Sequence, residues 1–139
     1  MNTLLISACL LGVRCRYDGG SKPQPGVEEL AGRYWLIPVC PEQLGGLPTP
    51  RSPSERQGDR VVSRQGRDVT AEYRRGAEEA LRLLDFFHAE GAVLKERSPS
   101  CGKGVIYDGS FSGALTEGDG VFAQLLRERG VPVYGESHI

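Results

Sequence analysis

Three cysteines, Cys9, Cys40 and Cys101, each stand at or shortly after the end of an apolar run. The runs are Thr3 to Ala8, Tyr34 to Val39, and Ala92 to Leu94, the last leading through Lys95-Glu96-Arg97 into Ser98-Pro99-Ser100-Cys101. Thiolates bind soft metals, and their number and spacing limit which. Structural zinc normally takes four closed ligands, often from Cys-x-x-Cys knuckles, and this chain has no such pair. Three ligands from three separate segments suit a centre with one open position. A three-cysteine iron–sulfur cluster with one iron free for substrate meets that description, and so does a three-coordinate zinc with a bound water. Plain packing is the competing account, because a thiol is also a small hydrophobe. The neighbours Pro41-Glu42 and Ser98-Pro99-Ser100 are polar and turn-forming, which is not core-like.

Glu42 follows Cys40 by two residues and should lie near any metal held there. A carboxylate at a desolvated pocket can serve as general acid or base; otherwise it complements a helix N-terminus. Ser98 and Ser100 either hydrogen-bond a substrate or a cluster sulfide, or simply hold a turn. Cys15 lies inside the first loop and reads as a supporting or packed residue. Lys103 reads as solvated, His88 as a helix-end residue and His138 as a terminal one. With no other histidine present, a Cys–His nucleophilic pair has little support.

These groups must be positioned by strands and helices in alternation. Thr3 to Ala8 is a short continuous apolar run, the pattern of a strand buried on both faces. A short helix is expected over Pro25 to Ala31, a strand over Tyr34 to Val39, and a single helical turn after Cys40 with Pro41 at its first position. Pro38 argues against a central place for the second strand. Pro48 to Gln57 reads as a surface loop or flap, and Val61 to Ser63 with Asp68-Val69 as a small hairpin. Thr70 is expected to cap one long helix whose buried stripe is Tyr73, Ala77, Ala80, Leu84 and Phe87. A strand from Ala92 follows. Thr116 with Asp119 resembles a capping box for a helix carrying Val121, Phe122, Leu125 and Leu126, and Val131 to Tyr134 makes a last strand near an edge. This order predicts an α/β class: one domain spanning 1–139, Rossmann-like and three-layered, with a short, mostly parallel sheet. Ligands in such sheets sit beyond the carboxyl ends of the strands, the edge on which all three cysteines fall.

The 139 residues leave room for one real core, and 39% hydrophobic with 25% charged residues is ordinary for a globular protein. A net charge of −1 gives no strong signal for nucleic acid. No run approaches the ~18 apolar residues of a membrane span, and Met1-Asn2 leads directly into a strand. A cytoplasmic protein is expected, where four cysteines are more often ligands or catalysts than disulfides. Monomer and small homo-oligomer are both compatible with the sequence.

Five motifs then occur in order: Ser7-Ala8-Cys9-Leu10-Leu11-Gly12, Cys15-Arg16-Tyr17-Asp18-Gly19, Pro38-Val39-Cys40-Pro41-Glu42, Gly45-Gly46-Leu47-Pro48-Thr49-Pro50-Arg51 and Ser98-Pro99-Ser100-Cys101-Gly102. Together they resemble the thiouracil desulfidase family, over nearly the whole chain. That resemblance implies a [4Fe-4S] cluster held by Cys9, Cys40 and Cys101, with the fourth iron open. It implies Glu42 as catalytic glutamate and Ser98 as active-site serine. The implied reaction is non-redox removal of sulfur from a small thiolated pyrimidine, of the 2-thiouracil or 4-thiouridine type, giving the carbonyl base and hydrosulfide. Arg51, on the proline-rich loop, would close over the site or meet a sugar or phosphate. The competing functional readings are a non-enzymatic cluster, metal or sulfur carrier, a redox sensor, and a three-cysteine zinc hydrolase.

Overall fold

The computed structural model describes residues 1–139, and strand and helix alternate from the start. In chain order the elements are β1 (Asn2–Ser7), α1 (Val27–Ala31), β2 (Tyr34–Val39), α2 (Pro41–Leu44), β3 (Ser54–Gln57), β4 (Arg60–Ser63), α3 (Thr70–Phe86), β5 (Gly91–Leu94), β6 (Val105–Tyr107), β7 (Leu115–Glu117), α4 (Val121–Glu128) and β8 (Val133–Gly135). Four strands form a parallel sheet in the order β2-β1-β5-β8. Both prolines that argued for edges, Pro38 and Pro132, belong to or adjoin its edge strands.

The two central strands, β1 and β5, are buried on both faces, as continuous apolar runs require, whereas the edge strand β2 exposes Trp35. Leu5, Ala92 and Leu94 face α3 and α4, where Ala77, Ala80, Leu84, Phe122 and Leu126 complete one core. Leu4, Ile6 and Val93 face α1 and the first loop, with Val27, Leu30 and the chain-end Ile139. This makes three layers, as the alternation of elements predicts. No helix is long and apolar enough to cross a membrane.

Several local expectations are corrected. Thr70 does not cap α3; it is the first helical residue, and its amide donates to Asp68 Oδ1 at 2.9 Å. Phe87 leaves the stripe because the helix ends at Phe86, and its ring is 41% exposed. The main hairpin joins β3 to β4, so the last four residues of the expected flap form a strand; Asp68 contributes only an isolated bridge to Val62. Thr116 lies in β7, paired with Ile106, and α4 starts at Val121 after Gly120, which supplies no side-chain cap.

The short helix α2 is pressed directly onto α3. A Cβ at Gly76 would fall 1.7 Å from the Pro41 carbonyl oxygen, and one at Gly45 would fall 1.9 Å from that of Glu72. Both glycines are there for close backbone approach. Gly76→Ala must therefore push α2 off α3, and overpacking of this kind costs roughly 2–3 kcal/mol. A lowered urea midpoint at unchanged m-value is the expected result, and an unchanged midpoint would show that α2 is not held by this contact.

Candidate active site

The carboxyl ends of the four parallel strands open into one cavity of about 690 Å³. Cys9, Cys40 and Cys101 all line it, as do Glu42, Ser98 and Ser100. Each cysteine is set by a different local device. Cys9 sits in the 3-10 turn that continues β1, closed by Gly12 at φ 97°. Cys40 is the extended residue before α2, and Pro41 starts that helix where a missing N–H costs nothing. Cys101 sits in a turn built by Ser98, whose Oγ accepts the amides of Ser100 at 3.1 Å and Cys101 at 3.0 Å. Arg97, just before it, takes φ 70°, a left-handed conformation that bulky residues rarely adopt.

Cys15 also reaches the cavity, buried between two of the others. Its thiol neighbours those of Cys40 and Cys9, and Cys40 Sγ lies 3.8 Å from the Cys15 carbonyl oxygen. Cys40 is shifted well above the usual thiol range by its hydrogen bond with Cys15 and then by burial. Burial foremost pushes the Cys101 thiol up to about 12. The contact with Cys40 lowers Cys15, but its hydrogen bond with Cys9 and its burial outweigh that, and the net shift is upward. A metal binding here must displace these protons. The hydroxyl oxygen of Ser100 lies 3.5 Å from Cys101 Sγ.

The donor set is soft, buried and drawn from three strand ends, which fits an iron–sulfur cluster. No three His, Cys, Asp or Glu side chains converge closely enough to hold one metal ion.

Glu42 is held from three sides. Its Oε1 accepts from Arg51 Nε at 3.1 Å and from the Tyr73 hydroxyl at 2.9 Å, and Arg51 Nη2 stands 3.1 Å away as the ion-pair contact. Its Oε2 accepts from the Ser100 hydroxyl at 2.9 Å. Ser100 and Ser98 hydroxyls are 2.9 Å apart. Ser98 Oγ already accepts two amides, so its proton points to Ser100, and that of Ser100 to the carboxylate, the strongest nearby acceptor. Ser98 thus reaches Glu42 through Ser100.

Tyr73 and Arg51 carry roles that the sequence reading did not give them. Tyr73 is the polar member of an apolar stripe, and a buried tyrosine hydroxyl usually finds a partner; that was its one legible signal. Arg51 is not available to a sugar or phosphate. Its guanidinium also donates to Pro48 O at 3.2 Å, Thr49 Oγ1 at 3.1 Å and Cys15 O at 2.9 Å. With side chains only 7% and 14% exposed, Arg51 and Glu42 are an ion pair largely withdrawn from water. Lys103 and both histidines are exposed, and none lines the cavity. Arg51→Ala leaves a partly buried carboxylate without its charge partner, a change that costs about 3 kcal/mol or more. Urea unfolding should register that loss, whereas a loss under about 1 kcal/mol, typical of surface pairs, would contradict the burial argument.

Residues 4–138 match the family model described as 2-thiouracil desulfurase. The uncharacterized protein YbbK of Bacillus subtilis (strain 168) is 38% identical, over 98% of this chain and 97% of that protein. The solved structure of the [4Fe-4S]-dependent thiouracil desulfidase TudS is 47% identical and superposes with a TM-score of 0.95, covering 100% of this chain and 93% of the other.

Proposed function

This chain belongs to the 2-thiouracil desulfurase family, and from that membership we propose that residues 1–139 act as one [4Fe-4S]-dependent desulfidase domain. The reaction replaces a thiocarbonyl by a carbonyl: a thiolated pyrimidine and water give the oxygenated base and hydrosulfide, with no change of oxidation state. The observation that carries this reading is the gathering of three strand-end thiols and a held carboxylate in one cavity. Cys9, Cys40 and Cys101 would hold the cluster. When bound, it supplies an iron without a protein ligand, a Lewis acid for the thiocarbonyl sulfur.

The remaining steps belong to the chain's own residues. Glu42 takes the proton of the water that attacks the ring carbon, and can return one to a ring nitrogen or to the departing sulfur. Ser100 holds Glu42 through Oε2, and Ser98 holds Ser100 while fixing the turn that carries Cys101. The substrate class extends to thiouridine-type nucleosides and nucleotides. In support, the cavity lining includes Lys22, Arg64 and Arg97, none of which forms an ion pair. Four free cysteines suit a reducing compartment, in keeping with a cytoplasmic enzyme.

The test is anaerobic reconstitution with iron and sulfide, followed by turnover of 2-thiouracil and 4-thiouridine read by loss of the thiocarbonyl absorbance and release of hydrosulfide. Cys9→Ala, Cys40→Ala and Cys101→Ala should each lose the cluster and the activity. Glu42→Gln should retain iron and lose about a hundredfold or more in kcat, the usual size of a general-base contribution. Full turnover by Cys40→Ala would contradict the assignment, and a loaded protein inert to both substrates would favour a carrier or sensor.

A further inference from the structure

The two oxygens of Glu42 are used unequally. Oε1 receives two hydrogen bonds, one from Arg51 Nε and one from Tyr73, which occupy both of its lone pairs, with Arg51 Nη2 beside it as the charge contact. Oε2 has a single protein partner, Ser100, and keeps acceptor capacity toward the cavity. Which oxygen is left open depends on what anchors the other, and the two anchors differ in rigidity. Arg51 comes from the proline-rich loop before β3. Tyr73 comes from α3, and its side chain is 2% exposed, packed with Val61 and Val69 and flanked by Leu47. The separation of α2 from α3 is itself fixed by the backbone contacts at Gly45 and Gly76. The Tyr73 hydroxyl is therefore a fixed point on the helix against which the Glu42 helix is docked.

Taking the desulfidase reading as its basis, we propose that Tyr73 is a positioning residue for the reaction. Its hydroxyl holds Oε1 of Glu42, so that Oε2 is the oxygen presented to the attacking water. Burial, with the Glu42 charge beside it, holds the phenol well above its usual range and keeps it a donor. Arg51 neutralises the carboxylate, whereas Tyr73 sets its orientation. Without the phenol the charge pair and the Ser100 bond persist, but Oε1 loses its anchor on the helix and is held only from the loop, so the carboxylate is less tightly aligned. That loss falls on the chemical step and not on substrate binding, since misaligned reacting groups reduce the rate far more than they reduce affinity.

Tyr73→Phe removes only the hydroxyl. In reconstituted enzyme, kcat should fall about ten- to hundredfold, with KM within about threefold and iron content unchanged. Added to Glu42→Gln, it should cause no further loss, because both changes remove one function. A residue that merely packs would instead lower thermal stability and leave kcat per iron-loaded molecule intact. Para-aminophenylalanine at position 73 keeps the ring and restores a donor, so it should recover most of the lost kcat. If Tyr73→Phe fails to load iron, this variant carries the test: turnover near wild type supports the proposal, and turnover as low as Glu42→Gln overturns it. Wild-type kcat in loaded Tyr73→Phe also overturns it, as does a loss that multiplies with that of Glu42→Gln. Loaded wild-type protein inert toward every thiolated pyrimidine would remove the desulfidase reading beneath it, and the proposal with it.

Discussion

Glu42 and Arg51 form a charge pair with little access to water, and five separate segments meet on it. Arg51 reaches the first loop through the Cys15 carbonyl and its own proline-rich loop through Pro48 and Thr49. Glu42 reaches α3 through Tyr73 and the third cysteine turn through Ser100. A pair of this kind is costly to desolvate and worse to break singly, so its value lies less in net stability than in fixing one arrangement. Here the arrangement places three loops, each carrying or touching a cysteine, at fixed distances round a cavity.

The parallel sheet explains why those loops meet at all. Parallel strands deliver their carboxyl ends to one edge, and this chain ends three of them in cysteine-bearing turns. The fourth, β8, leads to Glu136, which pairs with Lys95 at 2.9 Å and so ties the chain end to the segment leading toward Cys101. Burial and the contacts around them hold Cys15, Cys40 and Cys101 above the usual thiol range, which keeps these three protonated. Charge enters the site when a metal displaces those protons.

Much of this was legible because burial leaves a periodic trace. Continuous apolar runs located β1, β2 and β5, and Pro41 after Cys40 located α2. The strand-end position of Cys9, Cys40 and Cys101 placed them on one edge before any coordinates. What escaped was set by contacts across the chain. Ser54 to Gln57 carries no strand signal, because its pairing depends on β4 and not on its own propensity. Thr116 looks like a cap locally but serves β7. Arg51 looked like a ligand-facing cation because sequence does not reveal that Cys15, Pro48, Thr49 and Glu42 take its donors. Tyr73 was visible as core and invisible as a Glu42 partner, since periodicity reports the face of a residue and not the reach of its hydroxyl.

The central claim is that water, activated by Glu42 beside a cluster held by three cysteines, replaces the thiocarbonyl sulfur. Its most direct test is a single turnover of 2-thiouracil in ¹⁸O-labelled water by anaerobically reconstituted protein, with mass analysis of the base and a count of hydrosulfide. The account predicts one labelled oxygen in the new carbonyl and one hydrosulfide per base formed. Product without solvent oxygen, or sulfur recovered in an oxidised form, would contradict it.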